Sequence, residues 1–344
     1  MSPELAYGIV FLTAAATALV VTPLAARLGR RLGMVDRPGG RRTHQGEIPR
    51  LGGIGLFVPF LVAIGVGLSL RIPTADPKEP LRLLGLVLGS LWMFLVGLAD
   101  DRWDLSPGLQ LIAQAIAGGI AIATVIFIER VNNPLTDQVI VFPMPVVVLL
   151  TLFWIMGMIN TVNWLDGLDG LAAGVGAILC LVLAVHMHRV GQPSVALLPM
   201  ALLGAAVGFL PYNFHPARVF MGSNGAFFLG YALGCLGIIA GARVATVLLV
   251  MGIPIVDVAW QIVDRLRRRQ PPVRGDRGHL HFRLLDWGLP QRAIVLAYWA
   301  FCGLFGLLAL TLSSRLYKLV ALLALGGLVG LALTFLSRRE ARRG

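Results

Sequence analysis

Eleven apolar runs constrain this chain more than any other feature. Each is close to the ~20 residues that an α-helix needs to cross the hydrocarbon core of a bilayer. They fall at about 5–26, 51–70, 81–99, 109–128, 139–158, 170–188, 194–210, 225–241, 244–264, 291–311 and 317–336. Composition agrees: 57% of the residues are hydrophobic, 13% are charged and the mean hydropathy is +0.81. The predicted fold class is all-α, a polytopic integral membrane protein with about 11 transmembrane helices. The first run lacks a basic start and a small-residue cleavage site, so it reads as a retained span and not as a signal peptide. No internal repeat, low-complexity linker or soluble domain interrupts the series. One transmembrane domain is expected over residues 1–344.

Charge orients the series. Loops 27–50, 100–108, 159–169, 211–224, 265–290 and the C-terminal tail fall on one side, and they carry most of the 29 Lys and Arg residues. The positive-inside rule places that side in the cytoplasm, with the N-terminus outside and the C-terminus cytoplasmic. The net charge of +12 is almost all arginine, with only Lys78 and Lys318 as lysines. In a membrane protein it reads as anchoring and as contact with anionic lipid or substrate phosphate, not as nucleic-acid binding. Cys180, Cys235 and Cys302 lie inside apolar runs without metal or disulfide spacing, which suits small core residues.

The acids share the basic side. A carrier or scramblase is expected to place ionisable groups at mid-bilayer between broken helices. Here most carboxylates crowd one face, and only Asp257, just after Pro254, falls inside a span. That distribution favours a catalyst that works on a substrate from one side.

Four loops carry the chemistry. In LADDRWDLSP, the third span ends on Asp100 and Asp101, with Asp104 one turn later. Carboxylates are unfavourable at a helix C-terminus, so the pair points to a divalent cation or to proton transfer from phosphate or hydroxyl. In NTVNWLDGLDGLAAG, Asn160, Asn163, Asp166 and Asp169 set four amide or carboxylate oxygens within ten residues, which suits a hard cation and a nucleotide. In PYNFHPARVFMGSNG, Asn213 and His215 precede the turn Gly222-Ser223-Asn224-Gly225, which opens the eighth span. The N-terminus of that helix is expected to favour an anion. In DRGHLHFR, Arg277, His279, His281 and Arg283 alternate at a spacing of two, as on one face of an extended loop that grips a diphosphate. A basic loop at 36–53 adds His44 and Arg50 as further candidate phosphate contacts.

These motifs, in this order, together with PIVD and with IPRLGG ahead of the second span, resemble the polyprenyl-phosphate N-acetylhexosamine-1-phosphate transferases. The likeness runs from about residue 30 to 300 and is closer to the WecA/TagO branch than to the muramoyl-pentapeptide branch. The resemblance implies transfer of a sugar-1-phosphate, with GlcNAc-1-phosphate favoured, from a UDP-sugar to undecaprenyl phosphate. UMP is released and cell-envelope glycan assembly begins. It implies Mg2+, with Mn2+ as a substitute, a homodimer, and the bacterial inner membrane with the site facing the cytoplasm. By residue, it implies catalytic roles for Asp100 and Asp101, with Asp100 as proton acceptor from the lipid phosphate. Asn163 falls at the metal, and Asn160, Asp166 and Asp169 at the nucleotide. Asn213, Arg277, His279, His281 and Arg283 fall at the diphosphate and sugar, and Asp257 along a groove for the lipid tail.

Two positions depart from the family pattern. The eighth-span motif usually carries an Asp where this chain has Ser223, and a hydroxyl is a weak Mg2+ ligand beside a carboxylate. Phe282 stands where the branch commonly has another His. Two alternatives therefore stay open: a catalytically impaired family member, and a transporter of lipid or nucleotide-sugar.

Overall fold

A computed structural model describes residues 1–37, 46–74, 76–241, 244–267, 278–312 and 314–340. Each of the eleven apolar runs contains a helix. Eight of these helices are long and apolar enough to cross a membrane: α1 (Pro3–Arg31), α3 (Glu79–Trp103), α5 (Met144–Leu165), α6 (Leu171–Arg189), α7 (Pro193–Asn213), α8 (Gly222–Ile239), α12 (Gln291–Thr311) and α13 (Arg315–Glu340). A ninth run is broken. Helices α9 (Val244–Val250) and α10 (Gly252–Arg267) meet at 84° around Met251, where Gly252 and Pro254 weaken helical continuity. The remaining two runs form shorter apolar helices, α2 (Ile54–Ser69) and α4 (Pro107–Ala123). Among the described residues the chain is thus a multi-pass helical bundle with eight full-length spans, or nine counting the bent pair, with α2 and α4 as shorter apolar helices.

Three short features depart from the expected pattern. Val35–Asp36 (β1) pairs antiparallel with Ile48–Pro49 (β2) at one end of the bundle. Arg130–Asn132 (β3) pairs with Val139–Val141 (β4) at the other end. Residues 139–143 were expected within the fifth span. Of these, Val139–Val141 form a strand because all three are β-branched, and Pro143 caps the helix that starts at Met144. The third feature is α11 (Leu280–Asp286), a short helix within the basic loop.

Helix α8 is the axis of the bundle. Nearly all of it is buried, and it packs against α3 and α5, with α6 and α7 behind. Lipid is as apolar as leucine, so close helix pairs in a membrane depend on small residues that let backbones approach. Gly97 of α3 shows the constraint: a Cβ there would overlap the backbone of Ser223 and Asn224 at the start of α8. Gly89 of α3 accommodates the Tyr231 ring in the same way, and the Tyr231 hydroxyl donates to the Gly85 carbonyl at 2.9 Å. Cys180, Cys235 and Cys302 are buried free thiols in this core.

The α3–α8 approach can be tested by thermal denaturation in nanodiscs. Gly97→Ala is expected to lower stability by about 1–3 kcal/mol, the cost of overpacking. Gly119→Ala on α4, where nothing lies within 4 Å of the new methyl, is expected to leave it unchanged or slightly raised.

Candidate active site at one end of the bundle

Helix α3 delivers Asp100 and Asp101 in its last turn, and the two carboxylates diverge. Asp100 Oδ1 accepts the Leu105 N–H at 3.1 Å and Gln110 Nε2 at 2.8 Å, which closes the turn into α4. Asp104 is exposed and left-handed at the C-cap. The Asp101 side chain is fully buried and faces α8. Its Oδ1 accepts the Ser223 N–H at 3.0 Å, and its Oδ2 accepts the Asn224 N–H at 3.0 Å and Asn224 Nδ2 at 2.5 Å. Arg50 Nη2 lies 3.4 Å from Oδ1, and Asn224 Nδ2 also donates to the Arg50 carbonyl at 2.9 Å. An acid that is unfavourable at the negative end of its own helix is held by the positive end of another. The N-terminus of α8, expected to favour an anion, receives the Asp101 carboxylate. Asp101 is engaged by α8 and Arg50, whereas Asp100 faces the turn into α4.

The 160–169 segment also divides. Asn160 of α5 exchanges hydrogen bonds with Gln114 of α4, donating to Oε1 at 2.7 Å, and so faces the bundle interior. Asp169 Oδ2 lies 2.8 Å from His215 Nδ1 and accepts the Ala217 N–H at 3.1 Å. Asn213 Oδ1 accepts the Gly170 N–H at 3.1 Å, and its Nδ2 donates to the Val219 carbonyl at 3.1 Å. Asp169 and Asn213 thus stitch two loops together. Asn163, one turn before the end of α5, and Asp166, its C-cap, have no side-chain hydrogen bond or ion pair among the described residues. Burial, then the charges of Asp101 and of Asp169, raise the Asp166 carboxyl well above the usual range, against a smaller opposing effect of Arg50.

From Gly278 onward the DRGHLHFR segment is not an extended face. Helix α11 begins at Leu280 with His279 as N-cap, because Asp257 Oδ1 accepts the Leu280 N–H at 2.9 Å. Asp257, expected along a lipid groove, is 3% exposed, and its Oδ2 lies 2.9 Å from His279 Nδ1. The His279 and His281 rings stack at 5.7 Å. His281 is buried, and burial lowers its pKa to about 3, with His279 adding to the shift and Asp257 opposing it. Arg283 is also buried, with Nε donating to the Gly278 carbonyl at 2.6 Å. Arg277 and His44 lie outside the described residues.

The described parts of all five polar loops meet. Phe220 N–H donates to the Pro49 carbonyl at 2.9 Å and Gly52 N–H to the Phe220 carbonyl at 3.0 Å. Asp101 joins 100–108 to 211–224, Asp169 joins 159–169 to 211–224, and Gly167 abuts the His281 and Phe282 rings. Arg292 Nε closes the circuit on the His215 carbonyl at 3.0 Å. Sequence reasoning missed Gln110 and Gln114. The available signal was a pair of amides four residues apart on one face of an apolar helix.

Charge at the site fixes the sign of two stability effects. The folded chain holds the Asp166 proton more tightly than the unfolded chain does. Stability therefore falls as pH rises from the ordinary carboxylate range to the raised value. Asp166→Asn is expected to remove that loss and raise the melting temperature of the ligand-free protein near neutral pH. Burial also raises the Asp101 carboxyl, against Arg50 and the Asn224 and Ser223 hydrogen bonds. Asp101→Asn is nonetheless expected to lower stability, by roughly 1–3 kcal/mol, because the amide nitrogen meets buried N–H groups of α8 that need an acceptor. Melting curves recorded across pH for both variants check the opposed signs.

A model of glycosyl transferase family 4 matches residues 83–241, which include Asp100 through Asn224. The chain is 30% identical over 317 residues to a probable undecaprenyl-phosphate N-acetylglucosaminyl 1-phosphate transferase of Bacillus subtilis, covering 89% of this chain and 85% of that one. It is 32% identical over 329 residues to a decaprenyl-phosphate N-acetylglucosaminephosphotransferase of Mycolicibacterium smegmatis, covering 86% and 80%. It is 33% identical over 325 residues to a phospho-N-acetylmuramoyl-pentapeptide-transferase of Moorella thermoacetica, covering 88% and 96%. With its helical bundle, its five converging loops and likeness along most of its length, the chain belongs to the polyprenyl-phosphate N-acetylhexosamine-1-phosphate transferase family.

Proposed function

We propose that this protein transfers GlcNAc-1-phosphate from UDP-GlcNAc to undecaprenyl phosphate, releasing UMP, at the cytoplasmic face of the bacterial inner membrane. The product would start a cell-envelope glycan. The observation that supports the reading is the convergence of the described parts of five polar loops at one bundle end, where Asp166 and Asn163 make no side-chain hydrogen bond among the described residues. The sidedness rests on the arginine-rich loops at that end. The sugar rests on the names of the Bacillus and Mycolicibacterium relatives and on the likeness of the 265–290 loop. The homodimer implied by the resemblance belongs to the same reading, and the mass of the particle in nanodiscs measures it.

The residues present fit a hard divalent cation in part. Among the described residues no three His, Cys, Asp or Glu side chains gather as a metal cage. Mg2+ does not need one, because it is commonly held by one or two carboxylates together with substrate phosphates. Asp166 supplies a carboxylate whose charge Asp101 and Asp169 leave uncompensated. Asn163 and the Ser223 hydroxyl are the neutral oxygens on hand. Mg2+ or Mn2+ held by these groups would neutralise diphosphate charge.

The chain's own groups then have distinct tasks. Asp100 aligns the lipid phosphate for attack on the β-phosphorus. Gln110 and the Leu105 N–H hold its Oδ1, leaving Oδ2 for that contact. A phosphate monoester has a second pKa of about 6, so proton removal by Asp100 contributes modestly near neutral pH and alignment matters more. Arg50, about one third exposed beside Asp101, offers positive charge to an incoming phosphate. The acceptor phosphate meets these groups at headgroup depth because its polyprenyl tail stays in the bilayer.

Ser223 favours a second reading, an impaired member of the family. Purified protein with Mg2+, UDP-GlcNAc and undecaprenyl phosphate is expected to release UMP, and Asp100→Asn is expected to lose turnover while still binding nucleotide. UMP release from Ser223→Asp but not from the natural chain would establish the impaired reading. No UMP from either would overturn the transferase assignment.

A further inference from the structure

Gln114 is the one polar side chain in the middle of α4. Apart from it and Gln110, every residue of Pro107–Ala123 is Pro, Gly, Ala, Leu or Ile. Gln114 is 0% exposed. An amide buried in a membrane bundle is tolerated only when it is hydrogen-bonded. Gln114 meets that condition through Asn160 of α5, with two bonds in opposite directions. Gln114 Nε2 donates to Asn160 Oδ1 at 3.3 Å, and Asn160 Nδ2 donates to Gln114 Oε1 at 2.7 Å. Asn160 Nδ2 also donates to the Met156 carbonyl of its own helix at 2.8 Å, which fixes the amide on α5. A reciprocal pair sets rotation as well as distance, whereas apolar contacts alone let helices slide. One turn away on the same face of α4, Gln110 Nε2 donates to Asp100 Oδ1 at 2.8 Å and to the Leu105 carbonyl at 3.1 Å. A turn in the other direction, Gly118 lets Leu152 of α5 approach, since a Cβ there would lie 2.6 Å from Leu152 Cδ2. Trp92 Nε1 of α3 donates to the Ala113 carbonyl at 2.8 Å and ties α3 to α4 at the same level. One stripe of α4 thus holds Asp100 at one end and α5 along the rest. Asn160 lies on the same helix as Asn163 and just ahead of its C-cap Asp166, so what fixes Asn160 fixes them.

We propose that Gln114 is a positioning residue for the transfer reaction. Through Asn160 it holds α5, with Asn163 and Asp166, at one distance and rotation from Asp100, which Gln110 holds from the same face of α4. Helix α4 is then the spacer between the acid that aligns the acceptor phosphate and the groups on hand for the cation and the donor diphosphate. The inference rests on the reading of those groups given above. A misplacement of about 1 Å can cost about 100-fold in rate, so such a spacer acts on turnover more than on binding. A pair that only held the bundle together would act on stability alone.

Gln114→Met removes both hydrogen bonds with little change in volume or helix propensity. UMP release is measured per mole of folded full-length protein in nanodiscs, in the natural chain and in parallel in the Ser223→Asp background. Gln114→Met is expected to lower kcat roughly 10-fold or more and to change the KM for UDP-GlcNAc by less than about 3-fold. Exchanging the two amides, Gln114→Asn with Asn160→Gln, keeps the combined reach of the pair and is expected to restore kcat to within about 3-fold of its parent. Spin labels on Asp104→Cys and Phe153→Cys, both exposed positions beside three buried native thiols, read the α3–α5 distance without turnover. The distance distribution is expected to be narrow in the parent and broadened or shifted in Gln114→Met. A lowered melting temperature with kcat unchanged makes the pair packing alone and overturns the proposal. An exchange variant no faster than Gln114→Met, or a distance distribution that Gln114→Met leaves unchanged, overturns it as well. No UMP from either background overturns the transferase reading, and the distance distributions then decide by themselves whether α4 is a spacer.

Discussion

The carboxylate of Asp101 on the N-terminus of α8 holds the site in register. The start of α8 is deeply buried, so its free N–H groups have little access to water and need protein acceptors. Asp101 satisfies two of them, takes a third bond from the Asn224 side chain and sits beside Arg50. One side chain therefore fixes α3, α8 and the segment before α2 relative to one another. Gly97 permits it, because the two helices must nearly touch for the carboxylate to reach. The remaining loops attach to this knot through 211–224, with Asp169, Asn213 and Arg292 as the ties.

That arrangement separates support from chemistry among polar residues of similar type. Asp101, Asp169, Asn160 and Asn213 satisfy buried donors and acceptors inside the protein. Among the described residues Asp100 keeps one oxygen, and Asp166 and Asn163 make no side-chain hydrogen bond. Asp166 stands in the field of two other acids, and burial adds to the cost of its charge. Arg50 opposes this only in part.

The basic loop follows the same logic in reverse. Alternation of Arg277, His279, His281 and Arg283 suggested one exposed cationic face. The tertiary fold instead winds the segment into α11, capped by Asp257 from another helix. His281 and Arg283 turn inward, and burial lowers the pKa of the His281 ring. A spacing of two marks a face only if the backbone is extended, and no local signal announces a cap that arrives from more than twenty residues away.

The sequence by itself determined the class of the protein. Apolar runs of bilayer length, arginine on one set of loops and acids gathered on the same side are local facts, and each follows from the energetics of hydrocarbon and headgroup. The family was legible for the same reason, since its motifs are short and contiguous. The fifth run was drawn across β4, because hydropathy does not distinguish a helix from an apolar strand. Tertiary structure alone decided which polar residues are free. Whether Asp100 or Asp101, Asn160 or Asn163, Asp166 or Asp169 remains available depends on which buried N–H or amide comes within 3 Å. Those partners are separated by dozens of residues in the chain and meet only when the helices pack.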